Sequence, residues 1–233
     1  MLSVLSGKAP LAEPGGPWRP DAAHPCPETP LSIVGGTESD RAAACAIDAR
    51  VRAFFASALG LDADVPVRLA FEDRLAIAQV PVSGYYMKDE GIARVLAFDA
   101  RPPEGTVWSR IHASRDFHAS VVAHEIAHAL IDALIPGRLN YLAEEFVAYT
   151  VEFAVLDPAV REEIMARYGA RPFADLAHVN AAVYMVMPDV FGVRAYQTWR
   201  AEPGILDDLV EGRFVPAMDA QLGAPHNHQG VIR

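Results

Sequence analysis

The spacing of apolar residues divides the chain into a first half of short strands and a second half of helices. Alternating apolar runs predict strands at residues 31–34, 66–71, 80–87 and 94–100, with a less marked one at 106–113. After the first strand, apolar positions at helical spacing predict a helix that Thr37 or Ser39 caps and Gly60 stops. We therefore expect a small mixed sheet, with at least one edge strand, ahead of the helical half.

The second half opens with residues 117–135, which are apolar nearly all round and predict a helix buried in the core. Pro136 and Gly137 end this helix, and Asn140 can cap the next one at residues 141–156. The short turn returns the second helix antiparallel to the first. Further helices are predicted at 159–168, 172–187, 189–200 and 204–212. The pattern as a whole predicts an α+β fold.

Length and composition indicate the number of domains and argue against some classes of partner. The 233 residues suffice for one core, which we place at 31–222, between a Pro-rich extended arm at 1–30 and a tail at 223–233. A net charge of −10 without a basic stripe argues against nucleic acid as a partner. No window approaches the roughly 20 apolar residues of a membrane span.

The two cysteines bear on the cellular compartment. Cys26 lies in a turn-rich segment and Cys45 lies in the first predicted helix, with one strand between them. A disulfide between them would tie the start of this segment to the helix and would favour a periplasmic or secreted protein. Reduced thiols in a cytoplasmic protein are the alternative.

The buried helix at 117–135 carries a possible metal site. His124 and His128 are four residues apart, so both imidazoles project from one helix face and can reach one ion. Glu125 lies about 100° round the helix, beside that ion. A carboxylate there can take a proton from water and hand it to a leaving group, as in zinc hydrolases. Because uncompensated His and Glu are costly in an apolar helix, the pattern favours a metal.

A catalytic zinc site usually needs a third protein ligand. The next helix offers Glu144, Glu145 and Glu152 within an apolar pattern. We predict Glu145, because Ala148 one turn further on is small enough to let the two helices approach closely. Glu144 and Glu152 are the alternatives.

These two motifs together resemble those of the gluzincin type of zincin metallopeptidase, including its compact forms. HEIAH at 124–128 is followed 17 residues later by Glu145 in an ExxA pattern, and the resemblance covers about residues 94–156. It implies a zincin-like fold with a small mixed sheet against the metal helix, a Zn²⁺ ion and Glu125 as general base. It also implies a peptide or protein substrate that lies along an edge strand.

The residues around the ligands depart from the thermolysin-like pattern at one position. Those proteins carry an Asp four residues after the ligand Glu, where it orients a ligand His, whereas this chain has Tyr149. Tyr149 and Asp132 are the candidates to take its place. A His or Tyr on a later helix is expected to stabilise the transition state. We predict His178, and Tyr168 and Tyr184 are the other candidates. His112 and His118 lie upstream and are expected to be solvated.

Three functions follow as hypotheses. The first is zinc-dependent peptide hydrolysis with Glu125 as the base. The second is a zincin fold that keeps its metal for binding or regulation and has no turnover. The third is a metal hydrolase that acts on a non-peptide amide.

Overall fold

A mixed sheet forms the first half of the part of the chain that the computed structural model describes. The described residues are 18–77, 80–100, 114–169, 171–174, 178–213 and 230–232. Among them, six strands form one sheet: β1 (His24–Pro25), β2 (Leu31–Val34), β3 (Val67–Glu72), β6 (Gly84–Met87), β7 (Ile92–Leu96) and β8 (Gly230–Ile232). Two short strands, β4 (Ala76–Ile77) and β5 (Val80–Pro81), pair with each other outside this sheet.

The order of the strands puts β6 near one end of the sheet. The order is β1, β2, β3, β7, β6, β8. Strands β2, β3 and β7 run parallel, whereas β6 is antiparallel to both β7 and β8. Leu31, Ile33, Leu69 and Val95 supply buried side chains of the parallel strands. In the part of the chain that the structure describes, the strand that pairs with the outward side of β6 is β8, which has three residues.

The first helix, α1 (Glu38–Leu59), connects the parallel strands β2 and β3. Thr37 caps it, and Thr37 and Asp40 form a reciprocal capping box. The helix ends at Gly60, whose φ of 63° is the left-handed conformation that glycine adopts without strain. A disulfide joins Cys26, just after β1, to Cys45 in α1, as predicted. The second part of the Pro-rich arm is thus fixed to the core.

Two consecutive helices occupy the centre of the second half. Helix α2 (Arg115–Leu134) begins at its cap Ser114, and α3 (Tyr141–Val155) begins at its cap Asn140. Helix α2 contacts α1 and α3 on its helical side and β6 and β7 on its sheet side. Because it is enclosed in this way, α2 needs the nearly continuous apolar surface that the sequence shows.

The remaining helices pack around this pair. They are α4 (Pro158–Tyr168), α5 (Ala181–Val186), α6 (Pro188–Ala201) and α7 (Ile205–Val210). Helix α6 packs on α3, with Phe191, Val193 and Ala195 buried. The predicted α+β architecture, with a small mixed sheet and a helical second half, is confirmed at this level. None of the described helices is long and apolar enough to cross a membrane.

Three predicted elements differ from the observed ones. The strand predicted at 80–87 is broken after Pro81, because the amide of Val82 turns back to the carbonyl of Leu75. The strand predicted at 94–100 begins at Ile92 and gives way to a 3₁₀ turn, Phe98–Ala100. The helix predicted at 172–187 is wrong in length: among the residues of this range that the structure describes, Ala181–Val186 form the α-helix, and the amide of Phe173 binds the hydroxyl of Thr198 instead.

The two ends of the chain were predicted to be irregular. Residues 18–30 of the arm contribute a 3₁₀ turn at Pro20–Ala22 and strand β1. Within the predicted tail at 223–233, the described residues 230–232 form β8. The strand predicted at 106–113 lies outside the described residues, as does His112.

Candidate metal centre

The two histidines of α2 point at a common position. Nε2 of His124 lies 3.1 Å from Nε2 of His128, and both side chains are buried. The spacing of four residues produces this convergence, because positions i and i+4 lie one above the other on a helix. The two nitrogens that can bind a metal are therefore brought together by a single helical turn.

Glu145 of α3 completes a group of three donors. Its Oε2 lies 3.5 Å from Nε2 of His124, and its Oε1 lies 3.6 Å from Nε2 of His128. Donors about 2.1 Å from a tetrahedral zinc ion are about 3.4 Å from one another. The three observed separations lie close to that value. His124, His128 and Glu145 can thus hold one metal ion between α2 and α3.

Glu144, the alternative ligand, faces elsewhere. Its Oε1 accepts a 2.6 Å hydrogen bond from Nζ of Lys88, the residue that follows β6, and the two side chains form an ion pair. Adjacent helical residues project about 100° apart, so only one of the two carboxylates can face the histidines. The structure places Glu145 in that position, and Glu144 links α3 to the end of β6.

The electrostatics of the group favour a cation. Burial alone would lower the pKa of His124, but the carboxylates of Glu145 and Glu152 outweigh it and raise the pKa to about 10. Burial and the neighbouring His124 lower the pKa of His128. The oxygens of Glu145 have no hydrogen-bond donor among the described residues. A bound cation would replace the proton on His124 and compensate the buried carboxylate, so these residues fit a metal.

Glu125 lies beside the donors and against the sheet. Its side chain is fully buried, and neither carboxylate oxygen has a hydrogen-bond partner among the described residues. Burial raises the pKa of this carboxyl well above its usual value, and nearby carboxylates raise it further. A Cβ at Gly84 of β6 would lie only 2.7 Å from Oε1 of Glu125. Glycine at position 84 therefore makes room for the Glu125 carboxylate next to the β6 backbone.

Glu152 is the carboxylate that binds the imidazole of the candidate ligand His124. Its Oε2 accepts a 3.0 Å hydrogen bond from Nδ1 of His124, and its Oε1 accepts one from the hydroxyl of Ser120 at 3.1 Å. Glu152 lies seven residues after Glu145, which is two helical turns and the same face. That spacing was the available signal, but the sequence reasoning considered Glu152 only as a metal ligand.

The two candidates for this orienting role serve other purposes. The ring of Tyr149 packs edge-on against His124, with 4.5 Å between the ring centroids. Asp132 accepts a 2.8 Å hydrogen bond from the hydroxyl of Tyr86. Tyr149 therefore supports the imidazole by packing, and Asp132 joins α2 to β6.

Of the candidates for stabilising the transition state, Tyr184 is buried, whereas His178 is exposed. The Tyr184 hydroxyl accepts a 2.6 Å hydrogen bond from Tyr141. Burial raises the pKa of Tyr184, and the carboxylate of Glu145 raises it further. Tyr168 is half-buried on α4.

The prediction that His118 is solvated is wrong. His118 is buried, its Nε2 donates a 2.8 Å hydrogen bond to the carbonyl of Leu96, and its ring lies near Phe71 and Phe98. It joins the first turn of α2 to the end of β7. The apolar residues that surround it in the fold are distant in sequence, so local polarity was misleading.

Comparison with known proteins gives one match. A model of a family of unknown function, DUF6639, matches residues 31–219. No curated protein and no solved structure matches this chain. The match covers α2, α3 and the strands from β2 to β7.

Proposed function

The chain belongs to the DUF6639 family, whose function is unknown, and we propose that it is a zinc-dependent hydrolase that acts on peptides. One observation carries the proposal: His124, His128 and Glu145 converge at the spacing of a tetrahedral ion, with the unpaired carboxylate of Glu125 beside them. Two imidazoles and one carboxylate leave a fourth position open, as catalytic rather than structural zinc sites do. The resemblance to gluzincin peptidases supports the same function.

The residues of the chain have distinct tasks in this proposal. Zinc, when bound, lowers the pKa of water and polarises a carbonyl group. Glu125 takes the proton of the attacking water and delivers it to the leaving amine. Glu152 holds the proton on Nδ1 of His124, which leaves the lone pair of Nε2 free for the metal. Tyr184 can donate its phenolic proton to a developing oxyanion.

A binding or regulatory function is the second candidate. The observation that favours it is burial: His124, Glu125 and Glu145 have no exposed surface. A substrate can reach them only after part of the surrounding structure moves. A metal that holds α2 and α3 together, without turnover, would be compatible with this closed site. Hydrolysis of a non-peptide amide stays a third possibility for the same donors.

We also propose that the protein is exported from the cytoplasm. The Cys26–Cys45 disulfide favours an oxidising environment, and thus export to the periplasm or the medium. The acidic net charge argues against a nucleic-acid partner.

The test compares the parent protein with Glu125→Gln. Zinc is measured by mass spectrometry on purified protein and again after removal and reconstitution, and hydrolysis is measured on a reduced, carboxymethylated protein by detecting new N-termini. We expect about one zinc per chain in both proteins, with the hydrolysis rate lowered by about 10²–10⁴-fold in the variant. Glu163→Gln, on the exposed face of α4, is the matched control.

Each result has a clear meaning. Absence of zinc that is not regained on reconstitution would refute the metal centre. Stoichiometric zinc in both proteins, with no new N-termini from the parent, would support the binding function instead.

A further inference from the structure

We infer, on the basis of the proposed function, that residues 230–232 occupy the position of a substrate chain on β6. The chain's own strand β8 and an extended polypeptide would then compete for the same sheet edge. That a substrate chain lies along an edge strand is what the resemblance to gluzincin peptidases implies, and the structure adds that β8 of this chain already pairs with that edge.

The first support is the pairing of β6. Its inward side is hydrogen-bonded to β7, and its outward side is paired with β8. The register is Gly84 with Ile232, Tyr85 with Val231 and Tyr86 with Gly230. A strand without a partner on one side presents a row of backbone donors and acceptors, which an extended peptide can pair with. The backbone of β6 can thus bind a strand, and residues 230–232 already do so.

The second support is the distance from this edge to Glu125. The Cβ position of Gly84 is 2.7 Å from Oε1 of Glu125. In an antiparallel pair, directly opposite residues lie about 4.5–5.5 Å apart between their Cα atoms. Any chain that replaces β8 therefore has one residue, at the place of Ile232, next to the point where β6 meets Glu125. A chain that pairs with β6 in place of β8 is therefore also brought next to the candidate metal centre.

The third support is the burial of the centre. Helix α2, which carries both histidines and Glu125, contacts β8 as well as β6. Because Glu125 is fully buried, the centre becomes accessible only when a neighbouring element leaves. Strand β8 has three residues, so it forms fewer backbone hydrogen bonds than a longer peptide would. Among the described elements near Glu125, β8 is a short strand at the end of the sheet, so another extended chain can take its place on β6.

The experiment uses the full chain with Val231→Pro and Ile232→Pro combined. Proline removes the amide hydrogen, so whichever of the two amides faces β6 is lost. The matched control is Val231→Thr with Ile232→Thr, which keeps both amides and the β-branched side chains. Hydrogen exchange of the peptide covering β6 is followed by mass spectrometry. A synthetic peptide with the sequence of residues 227–233, NHQGVIR, is the probe.

We expect exchange in β6 to accelerate by about tenfold or more in the proline variant and to stay unchanged in the threonine variant. The added peptide should restore protection in the proline variant, whereas the same peptide with both prolines should not. Hydrolysis of the reduced, carboxymethylated protein should rise in the proline variant alone. If the double variant does not fold, the single proline variants carry the test, since neighbouring amides of a strand point to opposite sides.

Unchanged protection of β6 in the folded proline variant would overturn the inference. So would an exposed β6 that the peptide fails to protect. Zinc content is measured on the same samples, so failure of the proposed hydrolase appears as missing zinc or missing hydrolysis, while the exchange result stands by itself.

Discussion

The carboxylate of Glu152 binds Nδ1 of His124 at 3.0 Å, on the opposite side of the imidazole from Glu145. Both glutamates come from α3, two turns apart, and both are buried. One helix therefore supplies both a candidate metal ligand, Glu145, and the carboxylate that binds the candidate ligand His124 on the neighbouring helix.

Glu152→Ala should lower zinc affinity by about 10–100-fold, because His124 loses the partner that fixes its tautomer and orientation. Affinity is measured by competition with a chelating indicator. Glu163→Ala on α4 is the control and should retain parental affinity. Equal affinities for Glu152→Ala and the parent would show that Glu152 has no positioning role.

The neighbouring residues Glu144 and Glu145 should respond differently to substitution. Glu145→Gln should abolish stoichiometric zinc binding, because its oxygens face both imidazoles. Glu144→Gln should keep the zinc, because its side chain binds Lys88 instead. Zinc content per chain after reconstitution is the measurement. Loss of zinc from Glu144→Gln alone would reverse the assignment of the third ligand.

Gly84→Ala should impair hydrolysis while leaving zinc in place. The added methyl group would lie 2.7 Å from Oε1 of Glu125, so the carboxylate or the β6 backbone must move. A misplaced catalytic group can cost about 10²-fold in rate. Gly204→Ala is the matched control, since a Cβ there meets nothing within 4 Å. Parental activity in Gly84→Ala would show that β6 does not constrain Glu125.

Reduction of the disulfide should destabilise the fold. Cys26 and Cys45 are 19 residues apart, and closing a loop of this length is worth about 3 kcal/mol in unfolding free energy. Urea unfolding with and without a reducing agent measures the difference, and Cys26→Ser with Cys45→Ser should reproduce it. Identical midpoints would mean that β1 and α1 stay together without the covalent link.

Asp40 should make stability depend on pH in the acid range. Burial alone would raise its pKa, but hydrogen bonds from the Thr37 amide and hydroxyl and from Arg115 outweigh it, so the folded pKa lies below 3.8. The ionised carboxylate therefore stabilises the fold fully above about pH 3.8, and this contribution is lost as the pH falls through the lower folded pKa. Asp40→Asn should lower stability at pH 7 by about 1 kcal/mol and flatten the acid limb of the unfolding curve. An unchanged acid limb would contradict this role.

The sequence was sufficient for features that depend on local spacing. The convergence of His124 and His128, the cap at Asn140 and the extent of α3 follow from helical geometry, whereas the cap of α1 was left open between Thr37 and Ser39 and the start of α2 at Arg115 was missed by two residues. The position of Glu145 opposite the histidines could be predicted for the same reason, since the short turn determines how two consecutive helices meet. The α+β architecture follows from the change in apolar spacing.

Features that depend on residues distant in the sequence could not be predicted from local patterns. His118 is buried by Phe71 and Phe98, which no local pattern connects to it. Strand β8 exists because β6 offers an edge, not because Gly230–Ile232 has a strong strand pattern. The orienting role of Glu152 requires knowing which face of α3 meets His124.

The complete burial of the ligands has a kinetic consequence. The donors come from α2 and α3, consecutive helices joined by residues 135–140, so an ion between them would cross-link a hairpin of low sequence separation. Such a hairpin can form early, before the sheet encloses it. An ion captured then would leave only as fast as the enclosing elements separate, so the rate of zinc exchange would report how often the folded protein opens.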